Sequence, residues 1–286
     1  MKKSVKVLAG VTAFLLIIGV LWFANGLLGN PISKTIANNT AKEYLAENCS
    51  NMKLNVSDAY YNFKTGSYDV EIKSPTSKDT YFYLSISPFG KITYDSYESD
   101  VVDRYNTFNR INESYSSKVE KVFDSKDFPY ESEIYFGEII DIENLKENLE
   151  INKDNGLTYP IYGIDGKKLE LDKDYDMYKM GKKAGHIVFY AEDDEVTVKK
   201  ASEILLNIKN IFDKENIPFY AIDFTLENPR NEEGTPNSDD TSIRIEHFLY
   251  EDIYEENLEQ RISKAEKDLK KYYEIMDSKK EELEIE

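Results

Sequence analysis

The sequence predicts an α+β fold: an N-terminal transmembrane helix followed by two modules, each an antiparallel sheet with flanking helices. Three observations carry this. Residues 7–28, VLAGVTAFLLIIGVLWFANGLL, contain no charged side chain. Beyond them, strict apolar/polar alternation, as in SYDVEIK (67–73), takes turns with stretches of three-and-four spacing, the periods of half-buried strands and amphipathic helices. Short turn signals, Lys64-Thr65-Gly66 and Pro88-Phe89-Gly90, join neighbouring strands and force them antiparallel.

The apolar run would span about 33 Å as a helix, close to the hydrocarbon thickness of a bilayer. Lys2, Lys3 and Lys6 precede it and the first acid is Glu43, so positive-inside bias predicts residues 1–6 in the cytoplasm and everything after Asn30 outside, a single-pass cell-membrane protein. The competing reading is a cleaved secretory signal, with Ala24-Asn25-Gly26 as its candidate site. A lipoprotein signal is excluded, because the sole cysteine, Cys49, lies far downstream. Asn30-Pro31 is an N-cap followed by a proline at the first helical position, so a new helix starts almost without a linker.

The first module, residues 30–124, reads as α-ββββ-α. Its first helix carries Ile32, Ile36, Ala37, Ala41, Tyr44 and Leu45 on one face. Strands follow at 54–63, 67–73, 80–87 and 91–97, then a helix over 100–123 with Val102, Tyr105, Phe108, Ile111, Tyr115 and Val119 on one side. The second module, residues 131–286, begins with a strand at 133–140. Turn signals at Asn155-Gly156 and Asp165-Gly166 precede a strand at 185–191 and a helix at 195–215. Strands at 219–227 and 242–250 are joined by the polar loop NPRNEEGTPNSDD. The final helix, from about Tyr254, has a heptad seam of Leu258, Ile262, Ala265, Leu269, Tyr272 and Met276. That seam either packs on the module's own sheet or forms a parallel coiled-coil homodimer.

With 36 basic against 54 acidic residues and a net charge of −18, the chain repels nucleic acid and anionic polymers, so a nucleic-acid partner is excluded. One cysteine rules out an internal disulfide framework; Cys49 is either inert or paired with a partner protein. His186 and His247 sit in predicted strands without a neighbouring second ligand and read as structural residues. No HExxH, GxSxG, Walker A or GxGxxG pattern occurs, so no catalytic residue, metal site or cofactor is assigned. Asp172, Asp174 and Asp176 resemble a calcium loop but lack its glycine and terminal glutamate; Asp172 reads instead as a helix cap. Asp193, Asp194 and Glu195 read as N-terminal charges on the helix that follows them.

Two candidate binding features remain. In TYFYLSIS, Phe82, Leu84 and Ile86 face the helix, leaving Tyr81 and Tyr83 on the opposite face beside Tyr60, where they either bind a sugar polymer or protein or are covered by a neighbouring module. In SPTSKD (74–79), Ser77, Lys78 and Asp79 form either a turn or a ligand loop.

GNPISK with Ala41, Tyr44 and Leu45, then YNFKTGSYDVEIKSPTSKDTYF (61–82), SPFGKITYD (87–95) and IPFYAIDFTLE (217–227), closely resemble the YfjL-like proteins of low-GC Gram-positive bacteria. The resemblance covers nearly the whole chain. It implies a single-pass or signal-bearing cell-surface protein with N-terminal and C-terminal α+β domains, and supplies no activity or catalytic residues. The expectation is a membrane-tethered extracytoplasmic protein that binds an envelope protein or wall component. The alternative is an envelope-acting enzyme working through carboxylates that no short motif reveals.

Overall fold

The apolar run is helical from Lys3 to Leu28 (α1), and a second helix, Pro31–Asn48 (α2), begins two residues beyond its end. The computed structural model describes residues 3–146, 159–229 and 242–284, with side chains from Val5 to Ser278. Helix α1 is long and apolar enough to cross a membrane, and its apolar stretch is not buried by the rest of the chain. Asn30 caps α2 as expected, its side-chain oxygen accepting from the Ser33 amide at 2.8 Å. Gly29 stands between the helices at φ +69°, where a Cβ would come within 2.6 Å of the Tyr68 hydroxyl, so both the left-handed backbone and the close approach require glycine. Tyr68 clamps the joint further, accepting from the Asn30 amide at 2.7 Å.

The chain divides into two units, Met1–Thr107 with Glu170–Asp172, and Phe108–Leu169 with Lys173–Glu286. In the first, α2 packs on a five-stranded antiparallel sheet: Asn55–Val56 (β1), Tyr60–Asn62 (β2), Ser67–Lys73 (β3), Tyr81–Ile86 (β4) and Ile92–Asp95 (β5). The single strand expected at 54–63 is two short ones, both paired with β3. The break arises because Asn38 of α2 takes over the local backbone, its side-chain oxygen accepting from the Ala59 amide while its nitrogen donates to Asp58. Tyr68, Val70, Ile72, Phe82, Leu84 and Ile86 close the core against Ala37 and Ala41 of α2.

The helix expected over 100–123 starts later. A short π-helical turn, Glu98–Val102, and Arg104 at φ +67° precede α3 (Tyr105–Phe123). Its apolar residues Ile111, Tyr115 and Val119 lie in the second unit's core, whereas spacing had assigned this helix to the first module. Periodicity identifies an apolar face but carries no information about which sheet covers it.

The second unit holds a four-stranded sheet in the order β6-β7-β8-β9, from Tyr135–Ile139 (β6), Gly185–Glu192 (β7), Ala221–Glu227 (β8) and Ile243–Leu249 (β9). It is mixed, not antiparallel: β7 and β8 run parallel while the outer pairs are antiparallel. The reason is the helix Val198–Glu215, which follows β7 and returns the chain to the end where β7 began, the crossover a parallel pair requires. Numbering Met177–Ala184 as α4 and Val198–Glu215 as α5, the final helix is Leu258–Glu284 (α6). It lies on β9 and α5, with Leu258, Ile262 and Leu269 buried. The heptad seam therefore packs within its own chain through Leu258, Ile262 and Leu269, with Ala265, Tyr272 and Met276 half-buried. The Asn155-Gly156 turn and most of the 228–240 loop lie outside the described residues.

Candidate functional site

The two sequence-predicted binding features fall in the first unit. Alternation along β3 and β4 sends Phe82, Leu84 and Ile86 into the core and leaves Tyr81 and Tyr83 on the outer face. Tyr83 lies opposite Glu71, Tyr81 opposite Lys73, and Tyr60 opposite Asp69, so Tyr60 and Tyr83 flank β3 one step apart. Tyr60 is 53 % and Tyr83 36 % exposed, and Tyr94 of β5, opposite Ser85, is 56 % exposed. The Tyr83 hydroxyl donates to Glu71 at 3.3 Å, and the Lys73 ammonium lies 5.9 Å from the centre of the Tyr81 ring. Burial, Glu71 and the neighbouring tyrosines raise the Tyr83 phenol, so it stays a hydrogen-bond donor.

Ser77, Lys78 and Asp79 meet Asp172. Its Oδ1 accepts from the Ser77 hydroxyl and the Lys78 amide, each at 2.8 Å, and from the Asp79 amide at 3.1 Å. Asp79, fully buried, accepts the Asp172 amide in return at 2.8 Å. Asp172 is thus no helix cap; Asp176 caps α4, accepting from the Tyr178 and Lys179 amides, and Asp174 lies 3.8 Å from Arg110. The three acids of the would-be calcium loop serve three separate partners. The SPTSKD turn and Asp172 thus form a reciprocal clamp. Asp172→Ala is expected to lower the first unit's stability by about 2 kcal/mol, and Asp172→Asn, which keeps one acceptor oxygen, by less than about 1; calorimetry on both variants checks this.

Cys49 is free and buried, and burial together with the Asp95 charge pushes its thiol up, away from the reactive thiolate. It is unsuited to bridging a partner.

A third constellation lies in the second unit, and spacing missed it. One residue from each strand of the sheet contributes to a row across one face: Glu138 (β6), His186 (β7), Asp223 (β8) and His247 (β9). Glu138 is opposite His186 in the antiparallel β6–β7 register. The parallel β7–β8 register pairs His186 with Ala221, two residues before Asp223. His247 joins through a β-bulge: Ile222 pairs with Phe248 but Phe224 with Ile245, so β9 has one extra residue. His247 itself adopts φ +47°. Without the bulge, His247 would follow Ile243 and Ile245 into the core; with it, Phe248 turns inward instead.

His186 is buried, its Nδ1 donating to Glu138 and its Nε2 to Asp223, each at 3.0 Å. The same Asp223 oxygen accepts the His247 amide at 2.6 Å. The two imidazoles stack with centroids 5.1 Å apart, and the Tyr162 hydroxyl bonds His247 Nδ1 at 2.8 Å. Burial opposes charge on His186, but the Asp223 and Glu138 carboxylates overcome it and raise its pKa to about 9. Burial would raise the Asp223 carboxyl, yet the His186 cation holds it below the usual range. His247 is lowered by burial and by the neighbouring His186 cation, against the pull of Asp223. The row therefore holds one charged and one neutral imidazole at pH 7. It forms the floor of a cleft of about 360 Å³, whose walls include Asn112, Asn144 and Tyr159.

The only signal in the sequence was that the chain's two histidines both fall in strands of one module. Strand order and the bulge, which bring them together, leave no mark in periodicity.

A family model described as YfjL-like, N-terminal domain, matches residues 4–96, and one described as YfjL-like C-terminal domain matches residues 114–263. No curated protein and no solved structure matches the chain. With most of its length covered by these two matches, the chain belongs to the YfjL-like family.

Proposed function

We propose that this is a membrane-tethered, extracytoplasmic protein of the cell envelope that works by binding another envelope protein through the outer tyrosine face of its first sheet. The tether is α1, whose flanking Lys2, Lys3 and Lys6 favour a cytoplasmic N-terminus. The observation that carries the binding reading is the asymmetry of the first sheet: one face is closed by α2, while the other presents Tyr60, Tyr83 and Tyr94, each more than a third exposed. Tyrosine supplies large contact area at low conformational cost and is enriched at protein hot spots. Glu71 beside Tyr83, on a chain of net charge −18, favours a partner with a basic surface over an anionic wall polymer.

Ser77, Lys78 and Asp79 are left out of the binding face, because their amides, hydroxyl and carboxylate already serve the clamp to Asp172. The enzymatic alternative draws on the cleft of the second unit, which brings Glu138 and Asp223 together. Carboxylate-based hydrolysis requires two acids flanking a scissile bond, one of them protonated. Here both are directed at the single His186 imidazolium, an arrangement that favours binding over turnover.

A photoreactive residue at Tyr83, with a control at Glu274 on α6, tests the proposal in living cells. One protein captured at 83 and absent at 274, and lost when Tyr60→Ala and Tyr81→Ala are added, is the expected result. Glycan adducts alone, or equal capture at both positions, would overturn it.

A further inference from the structure

We propose that His186, Asp223 and His247 hold a divalent transition-metal ion of the zinc class at the floor of the second unit's cleft. The inference rests on geometry and is independent of the tyrosine face. Each of the three residues offers one ligand atom, and these atoms all lie within 4.8 Å of one another. A tetrahedral ion with bonds of about 2.0–2.2 Å separates its ligand atoms by roughly 3.3–3.6 Å, so closing around the ion takes up to about 1.5 Å of side-chain movement. His186 Nε2 and Asp223 Oδ1 are already 3.0 Å apart.

The surrounding groups match what a metal-bound imidazole needs. Ligating histidines generally tie their second nitrogen to a carboxylate or another polar group, which fixes ring orientation and tautomer. Glu138 holds Nδ1 of His186 at 3.0 Å, and Tyr162 holds Nδ1 of His247 at 2.8 Å, so Nε2 of His247 faces the ion, while Nε2 of His186 gives up its proton to solvent and its bond to Asp223 when the ion takes their place. Tyr162 is buried and stacked on Tyr220 with centroids 4.7 Å apart, so this support is rigid. The backbone contributes too, since the His247 amide bonds Asp223 and fixes the carboxylate that would join the two rings.

The donor set selects the metal. Two imidazole nitrogens and one carboxylate suit zinc, cobalt or nickel and disfavour calcium and magnesium, which take oxygen ligands. Three protein ligands beside a cleft of about 360 Å³ leave room for a fourth ligand from solvent or a bound molecule. The alternative is a row of ion pairs with no metal affinity.

The full-length protein, purified in detergent without a polyhistidine tag and stripped with a chelator, is titrated with Co²⁺ and then with Zn²⁺. Saturable 1:1 Co²⁺ binding with visible d–d absorption, displacement by Zn²⁺, a rise in thermal midpoint with Zn²⁺ and no response to Mg²⁺ are expected. His247→Gln should weaken binding by more than about 100-fold and Tyr162→Phe by about 10-fold, as loss of a ligand and of a supporting hydrogen bond. Cys49→Ser should bind as the parent does. Circular dichroism of each metal-free variant establishes folding, and if His247→Gln does not fold, Tyr162→Phe decides the case. Absence of saturable binding in the parent, or unchanged affinity in the folded variants, would overturn the proposal.

Discussion

Asp223→Ala is expected to destabilise the metal-free second unit by about 3 kcal/mol, because it strips a buried cation of one of its two carboxylates. Asp223 serves two donors through one oxygen, His186 Nε2 and the His247 amide. Its removal leaves the imidazolium with Glu138 alone and orphans a backbone N–H at the bulge. The value is at the low end for a broken buried ion pair, since the cleft admits water and the Glu138 side chain is 39 % exposed. Replacing both members, His186→Leu with Asp223→Leu, should recover part of the loss, because no buried cation remains to be compensated, while the His247 amide still lacks its acceptor. Chemical denaturation followed by circular dichroism, with a chelator present, measures all three proteins. A neutral single variant, or a double variant less stable than the single, would refute this account of the row.

Phe82→Ala should cost the first unit about 4 kcal/mol, the loss of a large, fully enclosed ring plus the cavity it leaves. Phe82 is 0 % exposed and meets Tyr97 edge-on with ring centroids 5.0 Å apart. The core it belongs to is small, so few neighbours are available to collapse into the space. The second unit has a separate core built on Phe189, Phe212 and Phe224. Hydrogen exchange read by mass spectrometry should therefore show β3 and β4 losing protection while β7 and β8 keep theirs. Equal loss in both units would indicate a single cooperative structure.

The two predictions draw on sites of very different legibility. Phe82 could be placed in the core from TYFYLSIS alone, because an alternating strand has only two faces and the apolar one must be covered. Asp223 could not, because its partners come from the two strands on either side of it. Asp172 is an intermediate case: its acidic neighbourhood was visible, but its bonds run to residues more than ninety positions earlier. One segment also changed allegiance for a reason that lies outside local pattern. Helix α3 was recognisable as amphipathic, yet its core side meets the second sheet. The heptad seam of the final helix left two readings open, its own sheet or a second copy, and its contacts with β9 and α5 take the first.

What the sequence by itself determined is whatever follows from neighbours along the chain: the apolar span, the Asn30-Pro31 start of α2, the hairpins and the inward faces of β3 and β4. These depend on periods of two and 3.6 residues and on turn chemistry, which are local. The tertiary structure alone decided the parallel pairing of β7 with β8, the clamp of Asp172 on Ser77 and Asp79, and the convergence of Glu138, His186, Asp223 and His247. Each depends on which strand lies beside which and on one inserted residue at a bulge, and such long-range pairing is settled by burial and hydrogen bonding of the whole sheet.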